Sequence, residues 1–169
     1  FDGGAGNDEL RPTQGSDTFL FGRGDGHDRI YYGYDQTDYA DGDPRRTNTL
    51  RFKDGVLPSD VTVARTYDNW WGGNNALLFT IADTGETFTV NSFTVGNNPS
   101  TSYYNPLHRV EFADGTVWDT AALLAFANTG TPGPDTLYGS DADDVIDGAA
   151  GNDQLYGNGG NDTLRGGAD

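Results

Sequence analysis

The chain has 169 residues, and its 26 acidic against 10 basic side chains give a formal net charge of −16 at pH 7. A chain this acidic lacks the basic surface that nucleic acids and anionic membranes require, so these two classes of partner are excluded. Cysteine is absent, which excludes disulfides, thiolate zinc sites and a cysteine nucleophile, and no run of about 18 apolar residues predicts a transmembrane segment.

Aspartate greatly outnumbers glutamate, which occurs only at Glu9, Glu86 and Glu111, and the chain is also rich in glycine. Aspartate and glycine are typical turn residues. Turns that are crowded with carboxylates are typical of sites for a hard cation such as Ca²⁺. The composition therefore predicts turns that bind a divalent cation.

Residues 1–31 carry three copies of a glycine-rich nonapeptide, in which a six-residue turn precedes a short strand. The clearest copy is Gly3–Arg11, and a weaker copy ends at Phe19. The third copy, Arg23–Ile30, is stretched by an insertion of two. Because such an insertion preserves the alternation of a strand, we expect Phe19, Phe21 and Ile30 to face one interior.

Between residues 32 and 129 the nonapeptide gives way to longer stretches in which apolar and polar residues alternate. Alternation of this kind predicts strands, at Thr49–Phe52, Val61–Arg65, Ala76–Ile81, Thr87–Val90, Val110–Phe112 and Thr116–Trp118. One short helix is predicted over Thr120–Ala127, with Asp119 as its N-cap.

Two polar features of this middle segment bear on metal binding. Asn48 stands where a metal-binding turn would have aspartate, which argues against a site at that turn. A group of four aspartates forms either a further calcium site or a solvated charged loop. These four residues are Asp35, Asp38, Asp41 and Asp43.

Residues 130–169 repeat with a period of nine. Aspartate occupies the sixth position of each repeat, at Asp135, Asp144, Asp153 and Asp162. An apolar residue follows two positions later, at Leu137, Ile146, Leu155 and Leu164. Ordinary turns have no reason to keep a nine-residue phase, so the period indicates a repeat architecture.

This nonapeptide resembles the glycine-rich calcium-binding repeat of RTX (hemolysin-type) proteins. The middle segment resembles the hemolysin-type calcium-binding related domain, through residues 21–28, 48–56, 58–63, 83–87 and 110–118. The resemblance implies an all-β fold. Parallel β-rolls (right-handed β-solenoids) are expected at residues 1–31 and 130–169, and they flank a β-rich middle at 32–129 with one short helix.

In such a roll, every second turn lies on the same edge, and these turns stack at the strand spacing of about 4.8 Å. This places Asp135 over Asp153 and Asp144 over Asp162. Two bare carboxylates at that distance repel by about 3.5 kcal/mol at an effective dielectric of about 20. The one apolar residue of each repeat contributes only about 1.5–3 kcal/mol. Since Ca²⁺ accepts six to eight oxygen ligands, we expect metal binding and folding to be one reaction.

The predicted ligands for several Ca²⁺ ions are of two kinds. Carboxylates come from the sixth-position aspartates Asp8, Asp17, Asp28, Asp135, Asp144, Asp153 and Asp162. The resemblance implies further ligands among the backbone carbonyls of Gly3, Ala5, Gly139, Asp141, Gly148, Ala150, Gly157 and Gly159. Three turns depart from the glycine pattern and are expected to hold weaker or incomplete sites. They contain Asp141 with Ala142, Pro132 with Pro134, and residues 12–17.

The resemblance implies a calcium-binding module for calcium-dependent folding and secretion, which belongs to a larger extracellular bacterial protein exported by a type I system. The abrupt ends of the chain lead us to expect native repeats beyond at least one of them. The alternative function is an adhesin domain that binds a carbohydrate or a cell-surface protein. Its platform would comprise Trp70, Trp71, residues 72–75, Tyr103 and Tyr104, for which ordinary packing is the other interpretation.

No enzyme is expected. The chain has neither a Gly-x-Ser-x-Gly elbow nor a His-Glu-x-x-His motif. Of its two histidines, His27 is interpreted as a solvated turn residue and His108 as a surface residue.

Overall fold

The computed structural model of the chain describes residues 1–12, 15–31, 47–68, 75–94 and 105–168. Within these ranges the protein is mostly β. The strands are β1 (Glu9–Leu10), β2 (Thr18–Phe21), β3 (His27–Ile30), β4 (Thr49–Phe52), β5 (Val61–Thr66), β6 (Ala76–Ile81), β7 (Thr87–Val90), β8 (Arg109–Glu111), β9 (Val117–Asp119), β10 (Thr136–Tyr138), β11 (Val145–Asp147), β12 (Gln154–Tyr156) and β13 (Thr163–Arg165). A short helix, α1 (Thr120–Ala127), directly follows β9, and a 3₁₀ turn at Pro58–Asp60 precedes β5.

The strands β1 to β9 form two sheets. The first sheet has the order β1-β3-β7-β6-β5, and the second has the order β2-β4-β8-β9. The neighbouring strands β1–β3, β3–β7, β2–β4 and β4–β8 are parallel. The neighbours β7–β6, β6–β5 and β8–β9 are antiparallel, at one edge of each sheet. Since β1, β2, β3 and β4 alternate between the two sheets, the N-terminal repeats and the middle segment share both of them.

One hydrophobic core joins these two sheets. Phe88 of β7 contacts Phe21 of β2, with ring centroids 5.2 Å apart. Phe19, Phe21 and Ile30 are all completely buried in this core, so their predicted common interior is confirmed. The parallel register pairs Leu10 with Ile30, because the two-residue insertion leaves the inward positions aligned.

The predicted helix is confirmed over Thr120–Ala127, and its N-cap is Asp119, whose Oδ1 accepts the Ala122 N–H at 2.9 Å. Leu123 and Ala127 bury the inner face of the helix in the core. The predicted strands also form. The strand β8 lies one residue earlier than predicted and β9 one residue later, because Asp119 ends the hairpin and begins the helix at the same point.

The C-terminal repeats form two further sheets of two parallel strands each, β10–β12 and β11–β13. Their register pairs equivalent positions of every second repeat, Leu137 with Leu155 and Ile146 with Leu164. The inward residues become more exposed along this segment, from 1% at Leu137 and 0% at Ile146 to 47% at Leu164. The C-terminal repeats therefore have far less apolar burial than the two large sheets.

The expected all-β class with one short helix is confirmed, but the sheets are mixed rather than uniformly parallel. The antiparallel hairpins of the middle segment interrupt the parallel order, and the residues in the described ranges do not form a closed solenoid. The division into segments 1–31, 32–129 and 130–169 stays a prediction.

Arg65 of β5 joins the middle segment to the C-terminal repeats. Its guanidinium donates to the carbonyls of Ala127 and Tyr138 and to Asn128 Oδ1, the last two at 3.1 and 3.3 Å. Burial lowers the pKa of Arg65 to about 10, so the side chain stays charged at neutral pH. One half-buried cation thus connects the end of α1 to the end of β10.

Replacing Arg65 with methionine should destabilise the protein by about 2–4 kcal/mol, because it leaves buried acceptors without their charged donor. Urea unfolding in the presence of Ca²⁺ measures this loss. Arg11→Met is the matched control, since the Arg11 side chain is 69% exposed and pairs with Glu9 at the surface. Equal midpoints for the two variants would contradict the role assigned to Arg65.

Candidate metal centre

Sixth-position aspartates of stacked turns are linked in pairs through their backbones. The Asp8 N–H donates to Asp28 Oδ1 at 2.9 Å. The same bond, at 3.0 Å, joins the Asp135 N–H to Asp153 Oδ1 and the Asp144 N–H to Asp162 Oδ1. We call these three pairs the aspartate ladder. The parallel register produces it, because equivalent turn positions lie on one another.

The second carboxylate oxygen of three ladder residues is buried without a hydrogen bond from any residue in the described ranges. These oxygens are Oδ2 of Asp8, Asp28 and Asp153. A buried carboxylate oxygen that lacks a partner carries a large desolvation cost. Such an atom in a native protein indicates a missing donor or a bound cation.

Asp28 has the most unfavourable surroundings for a bare charge. It is only 2% exposed, and burial raises the pKa of its carboxyl above the usual value. The Asp8 N–H partly offsets this effect, whereas the charges of Asp8 and Asp25 raise the pKa further. The neighbouring Lys53 bonds Asp2 and Asp25 instead, at 2.7 and 2.9 Å.

Glycine at the first position of three C-terminal turns, at Gly130, Gly139 and Gly148, leaves room for a pair of oxygens. A Cβ built on Gly139 would lie 2.9 Å from Asp144 Oδ2 and 2.5 Å from the carbonyl oxygen of Gly157. A Cβ on Gly130 would meet Asp135 Oδ2 and the Gly148 oxygen in the same way. Each of these first-position glycines therefore faces a carboxylate oxygen of its own turn and a carbonyl oxygen of the turn that stacks on it.

These donors fit Ca²⁺ better than other common metals. All of them are oxygens, and Ca²⁺ accepts carboxylates and backbone carbonyls in flexible geometry. Within the described ranges, no three histidine or acidic side chains converge on one point. Zinc, which prefers nitrogen and sulfur ligands in a tetrahedron, fits poorly. Backbone carbonyls must therefore supply part of any coordination shell.

Six of the seven predicted aspartates are brought together in the aspartate ladder, and Asp17 is the exception. The Asp17 N–H donates to Asn48 Oδ1 at 2.9 Å, and Asn48 in turn donates to the Pro106 carbonyl. Asn48 is fully buried. The sequence shows Asn48 at an aspartate position. Its pairing with Asp17 is not predictable from the repeat, because the distance between the two along the chain is not a multiple of nine.

The ladder of the first sheet ends at Asp28. The next strand in register places Phe88 beside Asp28, so no third aspartate follows. Glu86, two residues earlier, accepts the N–H groups of Gly24 and Gly26 at 2.7 and 3.3 Å. Its bond from Thr84 lowers the pKa of the Glu86 carboxyl, and the two backbone bonds act in the same direction. Glu86 was not predicted from the sequence; it lies two residues before Phe88, in the turn between β6 and β7.

The predicted carbonyl ligands occupy different surroundings. The carbonyls of Gly148 and Gly157 face the glycine of the preceding stacked turn, and a Cβ on Gly3 would lie 2.8 Å from Asp8 Oδ2. The Gly139 carbonyl accepts the Asn158 side chain at 2.8 Å. The remaining predicted residues lie in the stacked turns: Ala150 pairs with Ala168, Gly159 stacks on Asp141, and Ala5 lies between Gly4 and Gly6. As metal ligands, all of these residues stay predictions.

Several candidate residues lie outside the described ranges. They are Asp35, Asp38, Asp41 and Asp43, and, from the aromatic platform, Trp70, Trp71, Tyr103 and Tyr104. Both histidines are described. His27 is exposed, as expected, with Nδ1 3.0 Å from Thr87 Oγ1, but it begins the strand β3 and is not a turn residue. His108 is half-buried and its Nδ1 accepts the Asn48 N–H, so it is a structural residue rather than a surface one.

Comparison with known protein families agrees with the geometry. The model of the RTX calcium-binding nonapeptide repeat matches residues 1–19 and 129–164, in four copies. The model of the haemolysin-type calcium binding protein related domain matches residues 77–122. No curated protein matches the chain significantly. Among the described residues, no helix is long and apolar enough to cross a membrane. The chain therefore carries RTX calcium-binding nonapeptide repeats and a haemolysin-type calcium binding protein related domain, as the resemblance predicted.

Proposed function

We propose that this chain is a calcium-dependent folding module of an extracellular bacterial protein exported by a type I system, and that its C-terminal repeats form a parallel β-roll when calcium is bound. One observation carries the proposal. The stacked turns hold buried carboxylate oxygens, on Asp8, Asp28 and Asp153, that no residue in the described part of the chain satisfies. A bound Ca²⁺ supplies the positive charge that these carboxylates lack.

The charge distribution supports a stronger calcium requirement in the C-terminal repeats than elsewhere. Residues 130–168 contain seven aspartates and a single arginine, Arg165. Their strands are short, and Leu155 and Leu164 are not fully buried. Little apolar burial is thus available to offset the repulsion of stacked carboxylates.

The two large sheets contain cations of their own. The Lys53 ammonium lies between the carboxylates of Asp2 and Asp25. The Arg23 guanidinium pairs with Asp60 and Asp83, each at 3.1 Å, and the bond to Asp83 contributes most to raising the pKa of Arg23. These bonds and the large core reduce the dependence of this part on metal.

Calcium-dependent folding suits export of an unfolded chain. The resemblance implies that such chains cross the secretion channel unfolded in low cytoplasmic calcium and fold outside the cell. The absence of cysteine is compatible with this route, since no disulfide has to form after export. A fold that is coupled to metal binding in this way forms only where calcium is available.

In chelator, the backbone amides of β10 to β13 should exchange at least about 100-fold faster than those of β3, β6 and β7, because stacked carboxylates then oppose a weakly buried segment. Adding Ca²⁺ should protect β10 to β13, whereas equimolar Mg²⁺ should not. Hydrogen exchange followed by mass spectrometry or NMR measures both effects. Equal protection of these four strands with chelator and with Ca²⁺ would refute the proposed function.

Replacing Asp153 with asparagine should weaken calcium binding by at least about tenfold, or about 1.4 kcal/mol, because it removes a charged oxygen from the ladder. Titration calorimetry on the whole chain provides the binding constants. Asp54→Asn is the matched control, since it removes the same charge from an exposed turn outside the ladder. Superimposable isotherms for the two variants would rule out Asp153 as a ligand.

The stabilisation by calcium should grow as the pH rises above about 4, where an ordinary carboxyl ionises. In the metal-free protein the raised pKa of Asp28 means that the folded state holds its proton to a higher pH than the unfolded state, whose carboxyl titrates near about pH 3.9. This contribution to stability is present at low pH and is lost as the pH rises through the raised value.

Calcium binding requires the ionised carboxylate, so the difference in melting temperature with and without Ca²⁺ should widen over the same range. Thermal melts at several pH values test this. Asp28→Asn should flatten the dependence, and an unchanged slope in that variant would show that another group is responsible.

A further inference from the structure

Two of the C-terminal turns hold their aspartate with a hydroxyl side chain. In the turn that ends at Asp144, the backbone N–H and the hydroxyl of Ser140 donate to Asp144 Oδ2 at 2.5 and 2.8 Å. In the turn that ends at Asp135, Thr131 makes the same two bonds to Asp135 Oδ2, at 2.6 and 2.9 Å. Serine and threonine stand at the second position of the repeat in both turns, and we call them latched turns.

The hydroxyl of each latched turn also accepts a hydrogen bond. Ser140 Oγ accepts the Ala142 N–H at 3.1 Å, and Thr131 Oγ1 accepts the Gly133 N–H at 3.3 Å. Each hydroxyl therefore connects the fourth-position amide to the aspartate of its own turn. The second carboxylate oxygen of Asp135 and of Asp144 is thus satisfied within the metal-free chain.

Two other turns have the opposite arrangement, and we call them open turns. Their sequences are almost identical: Asp2-Gly-Gly-Ala-Gly-Asn-Asp8 and Asp147-Gly-Ala-Ala-Gly-Asn-Asp153. The second-position residue has a positive φ in both, 76° at Gly4 and 69° at Ala149. Its N–H donates to the aspartate two residues earlier, from Gly4 to Asp2 at 3.2 Å and from Ala149 to Asp147 at 3.0 Å.

The aspartate of each open turn has one carboxylate oxygen that accepts no hydrogen bond from the described residues. Since the second-position N–H of an open turn bonds elsewhere and that position carries no hydroxyl, Oδ2 of Asp8 and of Asp153 is left buried without a donor from the described residues. A carboxylate oxygen without a donor loses nothing when it accepts a cation. A latched oxygen must first give up the hydroxyl and amide that it already accepts.

We propose that Thr131 and Ser140 set the order of calcium binding, because their hydroxyls hold Asp135 and Asp144 in the metal-free chain while the open turns, 3–8 and 148–153, bind Ca²⁺ at lower concentration. This inference rests on the proposed calcium-binding function and assigns a role within it to residues at one position of the repeat. The latched turns, 130–135 and 139–144, are the first two turns after α1. Asn128, at the end of the helix, also donates to Asp144 Oδ1 at 3.1 Å.

The first test needs no metal. In chelator, Ser140→Ala should lower the hydrogen-exchange protection of the amides at 140 and 142 by about three- to tenfold, the equivalent of one net hydrogen bond. Thr131→Val should do the same for the amides at 131 and 133. Thr163→Ala is the control, since it removes a hydroxyl from an exposed strand position of the same segment. Unchanged protection in both latch variants would overturn the proposal.

The second test releases a latch. Ser140→Ala removes the hydroxyl that donates to Asp144 Oδ2, whereas Ser140→Thr keeps a hydroxyl at this position, as Thr131 does in the other latched turn. Calcium titration of the whole chain should find the site at Asp144 filled at about three- to tenfold lower calcium concentration in the alanine variant than in the threonine variant.

Equal affinity of the two Ser140 variants would overturn the latch. Failure of the unmodified chain to take up calcium in the same titration would refute the proposed function itself, whereas the exchange result in chelator would still report on the hydroxyl bonds. The two failures are therefore distinguishable.

Discussion

Parallel stacking of equivalent turns is the constraint on which the rest of this structure depends. The apolar pattern of the repeat sets the register of each parallel strand pair, because a one-residue slip would turn every side chain to the other face. The observed register places each sixth-position residue on the same position of the next stacked repeat. The Asp135 N–H then bonds Asp153 Oδ1, as the Asp8 N–H bonds Asp28 Oδ1. The hydrogen bond that orders the turns therefore also brings two negative charges together.

The molecule resolves this conflict in different ways along its length. In the two large sheets, Lys53 and Arg23 neutralise nearby aspartates, and the ladder stops where Phe88 takes the place of a third aspartate. An apolar residue at that position adds to the core instead of adding charge. In the C-terminal repeats the ladder continues without a lysine and with a single arginine, so an external cation is the remaining means of neutralisation.

The helix α1 connects the two large sheets to the C-terminal repeats. Its inner face belongs to the large core, while Asn128 at its C-terminal end bonds Asp144 and, through its backbone, Asp147. Arg65 connects the same point to the carbonyl of Tyr138. A surface that is ordered by hydrophobic burial thus presents hydrogen-bonding groups to the first C-terminal turns. The repeats are therefore attached at one end to the hydrophobic core of the two large sheets.

Much of this protein could be predicted from its sequence because the decisive signals are local. The nine-residue phase identified the turns and their aspartates, and the alternation in the middle segment predicted β4, β6 and β7 with their bounds. Asp119 followed by an apolar stretch predicted α1 and its N-cap for the same reason. The stacking of Asp135 on Asp153 follows from the uninterrupted period.

Partners separated by irregular lengths of chain were decided only by the tertiary structure. Asp17 pairs with Asn48, and Asp28 lies beside Phe88 rather than another aspartate, because the strands that separate them pair in an order that no period encodes. The difference between an open turn at Asp153 and a latched turn at Asp144 likewise depends on where one backbone N–H points. The sequence determined which residues supply oxygens, since that is a property of residue type and spacing. Only the folded chain determined which of those oxygens lack a donor, since that depends on every group packed around them.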